Sequence, residues 1–69
     1  MTNEQIKQER EKIRLEAINN AKAYHSDIDA VYYENKSLEY ILACCHPIER
    51  NDMEFRLNKL KKAEDLINV

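Results

Sequence analysis

No glycine occurs anywhere in this chain of 69 residues, and its one proline, Pro47, stands about two-thirds of the way along. Tight hairpin turns call for residues that tolerate positive φ, and glycine is their usual source. A sheet protein would need turn residues that this chain lacks. Its abundant Glu, Lys, Leu, Ile, Ala and Asn run instead in long stretches compatible with helix. The missing glycines also exclude Walker- and Rossmann-type phosphate loops, where backbone without a Cβ must approach the ligand. An all-α fold follows.

The apolar spacing divides that fold. Thr2-Asn3-Glu4-Gln5 forms a capping-box pattern, and Ile13, Ala17, Ala21 and Tyr24 follow at helical intervals with Ile6 and Ile18 on the flanks. Helix one is placed at about residues 3–24. Ser26-Asp27-Ile28-Asp29 offers a second cap, although a single kinked helix running through it is also compatible. Ile28, Val31, Tyr32, Leu38, Ile41, Leu42 and Cys45 carry a second stripe over about 27–45, crossed by the polar run Glu34-Asn35-Lys36-Ser37 as exposed helix or short loop. Pro47 ends it, since proline disfavours helical geometry in the residue before it.

The last helix can begin at Pro47 or at Asn51, which pairs with Glu54 as a cap, and its span is set at about 51–68. Met53, Leu57, Leu60, Ala63 and Ile67 form its stripe, with Phe55 and Leu66 extending it and Arg56, Lys59, Lys61 and Lys62 on the wet side. The predicted core is Ile13, Ala17, Ile28, Val31, Leu38, Leu42, Met53, Leu57, Leu60 and Ile67. The result is one domain over 1–69, a helical hairpin or three-helix bundle whose antiparallel partners flank Pro47. Helix one is the spare, alanine-rich and polar up to Lys12, and suited to weak packing or to docking on another subunit.

A domain this small buries only roughly 60% of the surface its unfolded form exposes, so a disulfide, a metal or self-association commonly supplements the core. Cys44 and Cys45 are adjacent and diverge by about 100° on a helix, which disfavours a disulfide between them and leaves one buried and one partly exposed thiol. Zinc ligands usually come in pairs two to four residues apart, unlike the contiguous Cys44-Cys45-His46 with distant His25. No metal or cofactor is implied. Cys beside His without an orienting group or oxyanion site does not make a nucleophile, and no enzyme is expected. Self-association is the supplement that remains, and a homo-oligomer is expected.

Eleven basic against thirteen acidic residues give a net charge of −2, too balanced for a domain that neutralises many phosphates. Nucleic acid is therefore a disfavoured partner. No apolar run approaches the roughly 20 residues of a membrane span, and Met1 to Arg10 is polar, unlike a secretory signal. The chain reads as cytoplasmic. Lys7, Arg10 and Arg14 form a cationic strip on helix one, which reads either as a phosphate grip or as a solvated face paired with Glu4, Glu9, Glu11 and Glu16. Tyr33 and Tyr40, seven residues apart, would stack on one side of a continuous helix as partly exposed contact residues or as core margin.

The string Cys45-His46-Pro47-Ile48-Glu49-Arg50, followed by Phe55, Leu57, Lys59-Leu60 and Ala63, resembles the small phage anti-CBASS sponge proteins over about 25 residues. These carry a Cys-Pro turn, an Arg/Glu pair and a Leu-x-Leu-x-Lys-Leu-x-x-Ala helix. His46 stands where they have a second proline, and Glu64-Asp65-Leu66-Ile67 replaces their aromatic-rich end. The resemblance implies a non-enzymatic helical oligomer that sequesters cyclic oligonucleotides, with Arg50 as the matching basic residue.

Three functions are thus compatible with the sequence. The first is a non-catalytic inhibitor of phage or regulatory type that acts on a host or regulatory protein through a helical face, in the host cytoplasm if phage-encoded. The second is a counter-defence sponge for cyclic oligonucleotides. The third is weak DNA binding through the basic helix Arg56 to Lys62. The contact candidates are Lys7, Arg10, Arg14, Tyr33, Tyr40 and Arg50.

Overall fold

Helix α1 starts at the expected cap. In the computed structural model, which describes residues 2–68, the Thr2 hydroxyl accepts from the Gln5 amide at 3.1 Å while Gln5 Oε1 accepts from the Thr2 amide at 2.9 Å. This reciprocal box opens α1 (Asn3–Tyr24) and satisfies two donors that a helix start otherwise leaves unpaired. Met1 and Val69, the ends of the predicted domain, lie outside the described residues.

Three further helices follow: α2 (Ala30–Glu34), α3 (Leu38–Ala43) and α4 (Pro47–Ile67). The stretch predicted as one helix over 27–45 is therefore two short ones. Ser37 causes the division, because its extended backbone and its hydroxyl, which accepts from the Tyr40 amide at 3.2 Å, begin a new helix within the polar run. The last helix starts at Pro47, four residues ahead of the predicted 51. His46 acts as its cap, with Nδ1 accepting from the Ile48 amide at 3.2 Å, and Pro47 fills the first helical position, where its missing donor has no consequence. The His46 amide in turn donates to Asn20 Oδ1 at 3.1 Å, which ties the turn to α1.

The expected roles of the helices are reversed. Helix one is the hub and not the spare: α1 packs against α2, α3 and α4, most extensively against α4, whereas α3 and α4 touch only sparingly across Pro47. The alanines that suggested weak packing are the reason, since Ala17 and Ala21 are wholly buried and let neighbouring backbone approach closely. The Cys45 thiol donates to the carbonyls of Ala17 at 3.2 Å and Ile41 at 3.3 Å, a contact that a larger residue at 17 would obstruct.

The core comprises Ile6, Ile13, Ala17, Ile18 and Ala21 of α1, Tyr33, Ile41, Leu42 and Cys45, and Met53 and Leu60 of α4. Of the other predicted core positions, Ile28, Leu38 and Leu57 are half-buried against it. Val31 and Ile67 are not core, at 66% and 38% exposed. Breaking the helix at residues 35–37 turns α2 so that Tyr33, not Val31, points inward. Ile67 sits in the last turn of α4. Phe55 and Leu66 do not extend the core stripe either, and are 60% and 79% exposed.

The molecule is elongated, with extents of 43 × 22 × 14 Å. Its radius of gyration is 12.8 Å, whereas a chain of this length ordinarily gives about 11 Å. Its accessible surface is 5095 Å², against about 4,500 Å² for a monomer of this mass. More surface is thus left open than a self-sufficient globule of this size requires.

Tyr33 is 0% exposed, and its hydroxyl has no hydrogen-bond partner among the described residues. Burial, then the neighbouring Cys44, Tyr32 and Asp27, raises its pKa above the ordinary 10.0. Removing an unpartnered buried hydroxyl relieves a desolvation cost, so Tyr33→Phe should leave stability unchanged or raise it by up to about 1 kcal/mol, whereas Tyr33→Ala should cost about 3–5 kcal/mol. A folded-state pKa raised above the unfolded one contributes stability that is complete below pH 10 and lost as pH rises through the folded value. Urea unfolding between pH 8 and pH 11 should therefore show a shallower alkaline loss for Tyr33→Phe than for the wild type.

Candidate functional site

The turn that divides α2 from α3 also brings together two of the exposed aromatic residues, Tyr32 and Tyr40. Tyr32 and Tyr40 are eight residues apart, which on one helix would set them about 80° from each other. The break at 35–37 brings their hydroxyls together at 2.8 Å, with ring centroids 6.3 Å apart. Lys36 lies in that turn and places its Nζ 4.7 Å from the Tyr32 ring centre and 5.3 Å from that of Tyr40. Both rings remain over 40% exposed, and Val31 of α2 is exposed as well.

The electrostatics of this patch are simple. The Tyr40 phenol is pushed up to about 12, chiefly because its hydroxyl is held by Tyr32 and secondarily by desolvation. The Tyr40 phenol therefore stays neutral near pH 7, and the formal charge of the patch is that of Lys36. A cation over two ring faces is a favourable electrostatic arrangement that also restrains the flexible lysine.

The sequence candidates are dispersed over the molecule. Tyr40 belongs to this patch, but Tyr33 does not: it is core, a correction that follows from the same helix break. Arg14 is taken up internally, its Nη2 donating to the carbonyls of Glu34 at 2.9 Å and Lys36 at 2.8 Å. It closes the C-terminal end of α2 and holds up the Lys36 turn, so it positions the patch from beneath. Arg10 pairs with Glu64 at 3.3 Å, which aligns α1 with α4. Lys7 is exposed on α1 and Arg50 is half-buried in the first turn of α4. Two members of the cationic strip of helix one are thus engaged by different elements, Arg14 by the end of α2 and Arg10 by α4, while Lys7 stays exposed.

Tyr32 and Lys36 were not among the candidates. Ser37 was the signal that could have found them, as a cap ahead of Leu38 marks a turn at Lys36. The predicted basic helix of α4 is similarly reduced. Arg56 bonds Glu16 at 2.8 Å, which raises its pKa, and also lies 3.4 Å from Asp52, while Lys59 rests 4.6 Å from the Phe55 ring centre.

The cysteines are free: Cys45 is buried and Cys44 half-buried. Burial raises the Cys45 pKa above its ordinary value. Among the described residues no group of three or more His, Cys, Asp or Glu side chains converges as a metal site would require. Among the same residues no helix is long and apolar enough to cross a membrane. The chain matches no known family model, no curated protein and no solved structure.

If Arg14 supports the turn, Arg14→Ala should cost about 1.5–3 kcal/mol, the range for a hydrogen bond to a charged group. Hydrogen exchange should rise at residues 34–37 ahead of the α1–α4 contact. Lys7→Ala, at an exposed site, should change stability by no more than about 0.5 kcal/mol. Equal effects of the two substitutions would contradict the positions described above.

Proposed function

We propose that this protein is a non-catalytic binding protein that docks a partner protein on the Tyr32–Lys36–Tyr40 patch of α2 and α3. The observation that carries the reading is the exposed tyrosine pair, locked hydroxyl to hydroxyl at 2.8 Å with a lysine over both rings. Tyrosine is enriched among the residues that dominate interface energies, since it brings large area and a polar tip with only two rotatable angles. Here the mutual hydrogen bond and the Arg14-supported turn settle much of the ordering before a partner arrives. The complementary surface is apolar, to cover the rings and Val31, with a carboxylate or carbonyl group aimed at Lys36. Such a protein acts by occlusion, as a regulatory or phage-type inhibitor in the host cytoplasm.

The same geometry supports a second reading. Two exposed rings beside an ammonium group suit a nucleobase and a phosphate, and the resemblance at the Pro47 turn points to cyclic oligonucleotide sponges. In that reading the protein is a counter-defence sink for a signalling nucleotide.

Two measurements separate these readings. Immobilised protein should retain a partner from lysate, and Tyr32→Ala/Tyr40→Ala or Lys36→Glu should weaken retention by about tenfold or more at unchanged helicity. Lys7→Ala should leave it intact. Retention indifferent to the patch substitutions, or no retained protein, would sink the first reading. For the second, a cyclic di- or trinucleotide at a hundred times its dissociation constant should stabilise the fold by about 2.7 kcal/mol. The absence of a thermal shift across such a panel would end it.

A further inference from the structure

Helix α4 carries a second seam in addition to the one packed on the core. Ile48, Asp52, Phe55, Lys59, Lys62 and Leu66 follow one another at intervals of four, three, four, three and four residues, the a/d spacing of a coiled-coil stripe. All six are exposed, with Ile48 at 70%, Phe55 at 60% and Leu66 at 79%. They run about 27 Å along the helix at its rise of 1.5 Å per residue. The buried Met53 and Leu60 lie on a different side of the same helix.

We propose that this seam pairs antiparallel with the same seam of a second copy, giving a two-fold dimer. The argument is self-complementarity. A two-fold axis at position 57 puts Ile48 opposite Leu66, Asp52 opposite Lys62 and Phe55 opposite Lys59, since each pair of numbers sums to 114. Every opposed pair is then apolar on apolar, acid on base, or ring on cation, and each occurs twice by symmetry. The ring–cation pair already exists within the chain, where Lys59 Nζ is 4.6 Å from the Phe55 ring centre. A parallel pairing would instead set Asp52 against Asp52 and Lys62 against Lys62.

The surroundings fit the same occupant. Beside Ile48 lies a shallow groove lined by Ala23, Tyr24 and His46, which gives the side chain of an incoming Leu66 a place to seat. One flank of the seam carries Asn51, Asn58 and Asp65, which brings amides opposite amides or a carboxylate. The other flank carries Arg56, which would face its own copy but is already bonded to Glu16 at 2.8 Å. The elongated shape, with more open surface than a chain of this mass normally leaves, is what a protomer lacking its neighbour would show. This seam is separate from the α2–α3 patch, and its test does not depend on that reading.

Charge reversal provides the test, read by sedimentation equilibrium of the full chain across a concentration series. The wild type should sediment as twice its 8.2 kDa chain mass at high concentration. Asp52→Lys places lysine against Lys62, and Lys62→Asp places acid against Asp52, so each alone should weaken the dimer by about tenfold or more. An equal mixture of the two variants restores both opposite-charge pairs and should form a heterodimer. The double variant Asp52→Lys/Lys62→Asp should recover self-association. Circular dichroism of each variant confirms that the fold is kept. A wild type that stays monomeric at every concentration, single variants that associate like the wild type, or a mixture and double variant that fail to recover would each overturn the proposal.

Discussion

The close approach of the Cys45 turn to α1 is the contact on which the rest of the arrangement depends. Two alanines on one face of α1 leave its backbone uncovered enough for the Cys45 sulfur to reach the Ala17 carbonyl at 3.2 Å. That carbonyl already accepts a helical bond, so the thiol adds to an existing network and does not leave a polar atom unpaired. From this point the chain is fixed in both directions. Upstream, Leu42 and Ile41 fall into the core and draw α3 along α1. Downstream, His46 is held by Asn20 and launches α4 back along α1. Small residues thus do for α1 what a wide leucine stripe would do for a more ordinary helix: they admit three neighbours instead of one.

How much of this was legible in the sequence depends on whether local chemistry or long-range packing decided the outcome. The Thr2 box, the 3–24 span of α1 and the break before Pro47 are local, set by capping and proline geometry, and they are read directly from the residues. The division of 27–45 is local too, but Ser37 lies in a polar run that exposed helix explains equally well. That single boundary then decided the fate of three side chains. With a continuous helix, Val31 faces inward and Tyr33 shares a side with Tyr40. With the turn, Tyr33 becomes core and Tyr32 becomes the partner of Tyr40. A turn of a few residues therefore exchanged a core position for a surface one.

The cationic side chains show a different limit. Lys7, Arg10 and Arg14 share a face of α1 by spacing alone, and nothing in that spacing reveals which elements will cover the face. Arg14 meets the carbonyl end of α2, where a guanidinium is well suited to several acceptors, and Arg10 meets a glutamate 54 positions away. An exposed pair such as Arg10–Glu64 adds no more than about 1 kcal/mol, so its role is alignment more than stability. Charge on a helix face is readable as charge, while its use depends on topology.

Making α1 the hub has a consequence for α4. Because α3 and α4 touch only sparingly, α4 has one neighbour along most of its length and keeps a broad outer surface. A helix with a single packed stripe can carry polar residues over the rest of its circumference, and this one does not: Ile48, Phe55 and Leu66 stand out of the core at up to 79% exposure. Scattered surface apolar residues are ordinary, but three that repeat on one line of one helix, interleaved with acid toward one end and base toward the other, are ordered in a way that core packing does not require. In a chain whose core is this small, covering such a line would link folding to association, so that the free energy of unfolding would rise with protomer concentration. The arrangement of α1 thus leaves α4 free to meet a neighbour while α2 and α3 present a separate aromatic surface elsewhere.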